Sequence, residues 1–179
     1  MFVQTEITPN PNSLKFIPGK IVSKGGAFEI TKKDKIQNEL IKNILSVNGV
    51  EGIFLNKDFI SVNKYEEISW DEIKHIVISF INDFYSTGKE FVIDNDPSEI
   101  DKDLNEIEKK IIQILDKKIR PAVAKDGGDI KFKEFKDGVV KVQLQGSCSG
   151  CPSSTMTLKQ GVQNLLCHYI PEVKEVVSI

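Results

Sequence analysis

Residues 146–155 read GSCSGCPSST, and the patterns on either side of them constrain the fold more than any other part of the chain. Upstream, Val140, Val142 and Leu144 alternate with Lys141, Gln143 and Gln145, the period-2 signature of a strand with one buried face. Downstream, Leu158, Val162, Leu165, Leu166 and Tyr169 recur at helical spacing. Pro152 suits the first turn of that helix, where its missing N–H is no loss. Cys148 and Cys151 therefore fall on a strand-to-helix turn. Gly146 and Gly150 let its backbone enter conformations closed to other residues. Free amides and the positive dipole end of a helix favour thiolate over thiol, so these are ligand-ready sulfurs.

The totals narrow the setting. A chain of 179 residues with 40% apolar content is long enough for one or two packed domains. A net charge of -2, with no basic block, gives nucleic acid nothing to bind. The N-terminus lacks the basic and apolar regions of a secretory signal, and no apolar run is long enough to span a membrane. Three cysteines, an odd number, argue against a disulfide framework. A reducing, intracellular, cytoplasmic location is the expectation.

Taken in order, the chain predicts two small α+β domains. Short strands at 2–6, 14–17 and 28–30 flank a Thr8-Pro-Asn-Pro-Asn12 turn and glycine-bearing loops. A helix over 34–47 follows, with Ile36, Leu40, Ile41, Ile44 and Leu45 on one face and Asn48-Gly49 as its stop. Strands at 50–55 and 59–62 form a hairpin. Ser69 and Glu72 form a capping box that opens a helix ending near Gly88. Trp70 and His75 have no second ligand at metal spacing and read as structural. This domain, 1–88, condenses to β-β-α-β-β-α and carries no catalytic constellation. Residues 89–97 lose periodicity and gather acids, which marks a linker.

The second domain, 98–179, reads α-β-β-α-β. Asp96, Pro97 and Glu99 give a helix start, and the helix carries Ile100, Leu104, Ile107, Ile111, Ile114, Leu115 and Ile119 until Pro121 kinks or restarts it. Asp126-Gly127-Gly128-Asp129 offers too few oxygens for a divalent cation and reads as a glycine helix stop. Lys136-Asp137-Gly138 is a hairpin turn, and a final strand runs over 173–177.

The C-x-x-C pair alone is compatible with zinc, a redox dithiol or iron-sulfur ligation. A tetrathiolate zinc site or a four-iron cluster needs four ligands, and Cys167 is the one further cysteine. Sixteen steps separate it from Cys151. At about 1.5 Å per helical residue that places it roughly 24 Å along the axis, and its neighbour His168 points about 100° away. One chain does not close the site. Metal ligation then requires two chains, each giving Cys148 and Cys151, with Ser147, Ser149, Ser153, Ser154 and the helix amides as hydrogen-bond donors to cluster sulfurs. A zinc module and a thiol-disulfide oxidoreductase are the alternatives. The oxidoreductase reading is weakened by the hairpin before the turn, where a longer alternation of parallel strands and helices is expected.

Four motifs together resemble the C-terminal domain of NifU found in Nfu-type iron-sulfur proteins. They are Arg120-Pro121-Ala122, Asp126-Gly127-Gly128-Asp129, the stretch GSCSGCPSST and His168-Tyr-Ile-Pro-Glu172. Thr8-Pro-Asn-Pro-Asn-Ser-Leu-Lys-Phe16, Gly49-Val-Glu-Gly52 and Asp58-Phe59-Ile60 resemble the Nfu N-terminal domain. The resemblance covers nearly the whole chain. It implies a non-enzymatic carrier that holds a labile [4Fe-4S] cluster between two subunits, ligated by Cys148 and Cys151 of each. The partners it implies are a second copy joined through the C-terminal domain, apo iron-sulfur clients and upstream assembly factors. The resemblance settles no role for the N-terminal domain, for which docking of clients or assembly factors is our own expectation. Cys167 lies outside the motif and receives no role.

Overall fold

The computed structural model describes residues 2–24, 26–35, 37–90, 103–149 and 152–179, with backbone alone at 152–154. The chain divides into two compact units, Met1–Asp96 and Pro97–Ile179. Both mix helix and sheet, so the α+β class holds.

The first unit is a five-stranded sheet with two helices. Its strands are β1 (Gln4–Ile7), β2 (Ser13–Ile17), β3 (Phe28–Thr31), β4 (Val50–Leu55) and β5 (Ile60–Lys64), in spatial order β1-β2-β5-β4-β3. Every pairing is antiparallel. β3 is a full member of this sheet, so three strands precede the first helix where the condensed order has two. Helix α1 (Glu39–Ser46) begins later than its periodicity predicts. The Asp34 carboxylate accepts from Thr31 N at 2.7 Å and closes a local turn that competes with helix at 31–34. Asn38 then caps the helix, its side chain accepting from Ile41 N. Ile36, expected on the core face, lies outside the described residues.

Helix α2 (Trp70–Ser86) carries both bonds of the Ser69/Glu72 capping box and buries Ile73, Val77, Ile81 and Phe84. Trp70 is structural, as its isolation predicts. Its Nε1 donates to Pro11 O at 3.0 Å, and its ring meets Phe16 edge-on at 6.4 Å, so it ties the Pro-Asn turn to the core. Among the described residues, no helix is long and apolar enough to cross a membrane.

In the second unit, the expected start at Asp96 and the acidic stretch 91–97 lie outside the described residues. Helix α3 (Glu106–Ile114) starts from a different capping box. Asn105 Oδ1 accepts from Glu108 N and the Glu108 carboxylate accepts from Asn105 N, both at 2.9 Å. Leu104 therefore precedes the helix. A π turn, Leu115–Ile119, leads into α4 (Arg120–Lys125). Pro121 explains it: the ring has no N–H to give and crowds the carbonyl four residues back, so the preceding turn widens and Arg120 N–H reaches Leu115 O.

Strand β6 (Gly128–Lys136) pairs antiparallel with β7 (Val139–Gly146) across an Asp137-Gly138 turn with φ of 52° and 80°. Helix α5 (Pro152–Tyr169) follows, and β8 (Glu175–Ser178) lies parallel to β7, giving the sheet order β6-β7-β8. The core gathers Ile111, Leu115 and Val123, the alternating Val140, Val142 and Leu144 of β7, and Val162 and Leu166 of α5.

Because Ser69 satisfies an otherwise orphaned amide at the start of α2, Ser69→Ala is expected to cost about 1 kcal/mol. The urea midpoint of the first unit should fall accordingly, and Ser69→Asp should restore most of it.

Candidate functional site

The strand-to-helix turn is built by two loops that interlock. Gly128 and Gly146 face each other as register partners at the open end of the β6/β7 hairpin. Gly146 has φ of 67° and turns the chain out of β7. Residues 147–149 then fold back over the end of α4. Ser147 N donates to Gly127 O at 3.2 Å, and Ser147 Oγ donates to Asp126 O. Ser149 N and Oγ both reach Gly146 O, at 3.2 and 2.9 Å. Thr155, in the first turns of α5, donates its hydroxyl to Cys148 O at 3.3 Å. The Asp-Gly-Gly-Asp segment is thus more than a helix stop. Gly127, with φ of 81°, ends the helix, while the second glycine forms the floor beneath the cysteine turn.

A methyl group does not fit at Gly128. A Cβ there would lie 2.6 Å from Cys148 Sγ, 2.7 Å from Gln145 O and 3.1 Å from Cys148 Cβ. Cys148 is only 6% exposed and belongs to the apolar core of the unit. Sequence periodicity places the cysteine on the turn but gives no hint that its sulfur points inward. The signal was the doubled glycine, since a helix stop needs only one.

The floor is anchored electrostatically. Asp129 is buried, its side chain 3% exposed, and both oxygens are held by Arg120: Nε to Oδ1 and a terminal nitrogen to Oδ2, each at 2.9 Å. Arg120 also reaches Asp116 at 3.0 Å and is itself 38% exposed. The hydrogen bonds to Asp129 hold the guanidinium pKa above its ordinary range, against the opposing effect of burial. Periodicity and spacing had left this pair invisible: the two residues lie nine apart, on a helix and a strand whose contact only the fold creates.

Of the expected site residues, Cys148 is placed, whereas Cys151 and Gly150 lie outside the described residues. Ser147 and Ser149 give their hydroxyls to backbone carbonyls and so shape the turn instead of facing a cluster. The side chains of Ser153 and Ser154 are not described. Cys167 is partly buried on α5, with its sulfur 3.8 Å from Lys174 O. His168 is exposed in the last turn, edge-on to Tyr169 at 5.0 Å. Among the described residues, no contact brings either to the cysteine turn.

Comparison with known proteins matches residues 3–88 to the "Scaffold protein Nfu/NifU N terminal" family and residues 111–177 to the "NifU-like domain" family. The NFU1 iron-sulfur cluster scaffold homolog, mitochondrial, of Homo sapiens is 43% identical over 183 residues, an alignment covering 100% of this chain and 72% of that protein. This chain belongs to the Nfu family. The Drosophila erecta NFU1 homolog, also named mitochondrial, is 44% identical over 184 residues. That alignment covers all of this chain and 65% of the Drosophila protein, so the chain spans just under two thirds of that relative's length. A solved NifU-like protein from Saccharomyces cerevisiae is similar at 25% identity, with 53% of this chain and 87% of that one covered and a TM-score of 0.49.

These names overturn the expectation of a cytoplasmic location, because the Nfu relatives are named mitochondrial. The expectation rested on a missing secretory signal and an odd cysteine count. Those features separate oxidising from reducing surroundings and do not distinguish the cytoplasm from the interior of an organelle.

Removing the guanidinium would leave a buried carboxylate unpaired next to Gly128. Arg120→Ala is expected to destabilise the second unit by about 3 kcal/mol, the low end for breaking a buried pair because the arginine is part solvated. Arg120→Lys should recover less than half, since an ammonium does not reproduce the two-point contact. Urea unfolding followed by hydrogen exchange in β6 reads both.

Proposed function

We propose that this Nfu-family chain carries iron-sulfur clusters, receiving a labile [4Fe-4S] cluster and delivering it to apoproteins, with the cluster as cargo held by Cys148 and Cys151 from each of two copies. In this reading residues 1–88 form a docking domain for clients and upstream assembly factors, 89–97 a linker, and 98–179 the cluster-binding domain through which the chain dimerises.

The observation that carries the proposal is the donor set. The cysteine turn offers soft sulfur ligands, suited to iron-sulfur or zinc chemistry and unsuited to hard cations. Cys167 and His168 are held elsewhere on α5, so the four thiolates of a four-iron cluster call for a second copy. The names of the Nfu relatives, as iron-sulfur cluster scaffolds, favour the cluster over zinc. The same names favour the cluster over disulfide exchange, although the turn lies at the strand-to-helix junction of a parallel β7-α5-β8 unit.

The roles divide simply. The two sulfurs ligate. Backbone groups of 126–128 and the hydroxyls of Ser147, Ser149 and Thr155 fix the turn that presents Cys148. A cluster shared across an interface is released when the two copies part, which suits delivery better than permanent electron transfer.

Anaerobic reconstitution with iron and sulfide should load roughly four irons and four sulfides per two chains, with a visible charge-transfer absorption. Cys148→Ser and Cys151→Ser should each abolish that absorption, and Cys167→Ser should keep it. Zinc retained by single chains, or efficient disulfide reduction without iron, would sink the proposal.

A further inference from the structure

We propose that Gly128 is a positioning residue that keeps the thiol of Cys148 seated against the start of β6 and shielded from solvent in the metal-free protein. The idea that cluster loading must first turn this sulfur outward rests on the carrier reading above. The seat itself does not.

Three features of the geometry define the seat. Its floor is the Cα of Gly128, where a side chain would overlap the sulfur at 2.6 Å. Its wall is the backbone of β7, with Gln145 O at 2.7 Å from the same point. The turn above it is held down by Ser147, which bonds to both Gly127 O and Asp126 O, and by Thr155 on the carbonyl of Cys148 itself. The sulfur therefore occupies the volume that any other residue at 128 would fill with its own Cβ. Gly128 has no positive φ to explain its identity, unlike Gly127 and Gly146. Close approach of the Cys148 sulfur and of the Gln145 carbonyl is the requirement that glycine alone meets.

A thiol packed this way reacts slowly with electrophiles and oxidants, because attack needs an exposed sulfur. Placing a methyl group at 128 takes the seat away. The sulfur then has to leave the core, and it becomes reactive whether or not iron is ever bound.

Alkylation of the intact, iron-free 179-residue chain tests this directly. Cys151→Ser makes Cys148 the sole thiol of the tryptic peptide spanning 142–159, and Cys167 reports from the next peptide. Gly161→Ala, in open space on α5, adds helix propensity and supports the fold. In this background Gly128→Ala should raise the N-ethylmaleimide rate at Cys148 by about tenfold or more, with Cys167 unchanged, if local exposure controls access. Equal Cys148 rates with and without Gly128→Ala overturn the proposal. So does a parallel rise at both cysteines, which would report general loosening.

Should Gly128→Ala fail to fold, the background protein alone decides. The seat requires Cys148 to react more slowly than the half-buried Cys167, and the reverse order contradicts it. Because no iron is present, failure here leaves the carrier reading standing, and failure to load a cluster leaves the seat standing.

Discussion

The second unit depends on a close approach of two backbones. Gly128 and Gly146 oppose each other without side chains at the mouth of the β6/β7 hairpin. That gap lets the cysteine turn fold back and bond to the end of α4. With a larger residue at 128, the sulfur and the β7 carbonyl would both have to move. A steric constraint on one strand thus fixes a functional group on a loop beyond the next.

The remaining features of the unit hold that approach in place. Pro121 widens the helix before α4 into a π turn and Arg120 opens the next helical segment, where it grips both oxygens of Asp129. Asp129 follows Gly128 directly, so the ion pair fixes the strand where the floor begins. On the far side, α5 contributes Thr155 to the turn and Val162 and Leu166 to the core. Chemistry, packing and electrostatics therefore meet at the hairpin mouth.

Much of this was legible in the sequence, because local patterns govern it. Alternation at Val140, Val142 and Leu144 gave β7, helical spacing gave α5, and Ser69 with Glu72 gave the start of α2. The misses have physical causes. The start of α1 moved because Asp34 closes a competing turn, and Leu104 falls outside α3 because Asn105 and Glu108 cap that helix after it. The inward sulfur and the Arg120–Asp129 pair arise only when distant segments meet, and no periodicity encodes them. The compartment was misjudged because reducing chemistry is common to more than one location.

A buried thiol is an unusual starting point for a ligand, and it joins the two proposals. In the metal-free chain the sulfur is guarded. In the carrier we propose, the same turn is half of a site that a second copy completes. Assembly state and metal content are therefore expected to change together. Native mass spectrometry under anaerobic conditions tests this most directly, since one chain has a mass of 20.1 kDa. The account requires every cluster-bearing ion to have the mass of two chains plus one [4Fe-4S] unit. A cluster carried intact by a single chain would contradict it.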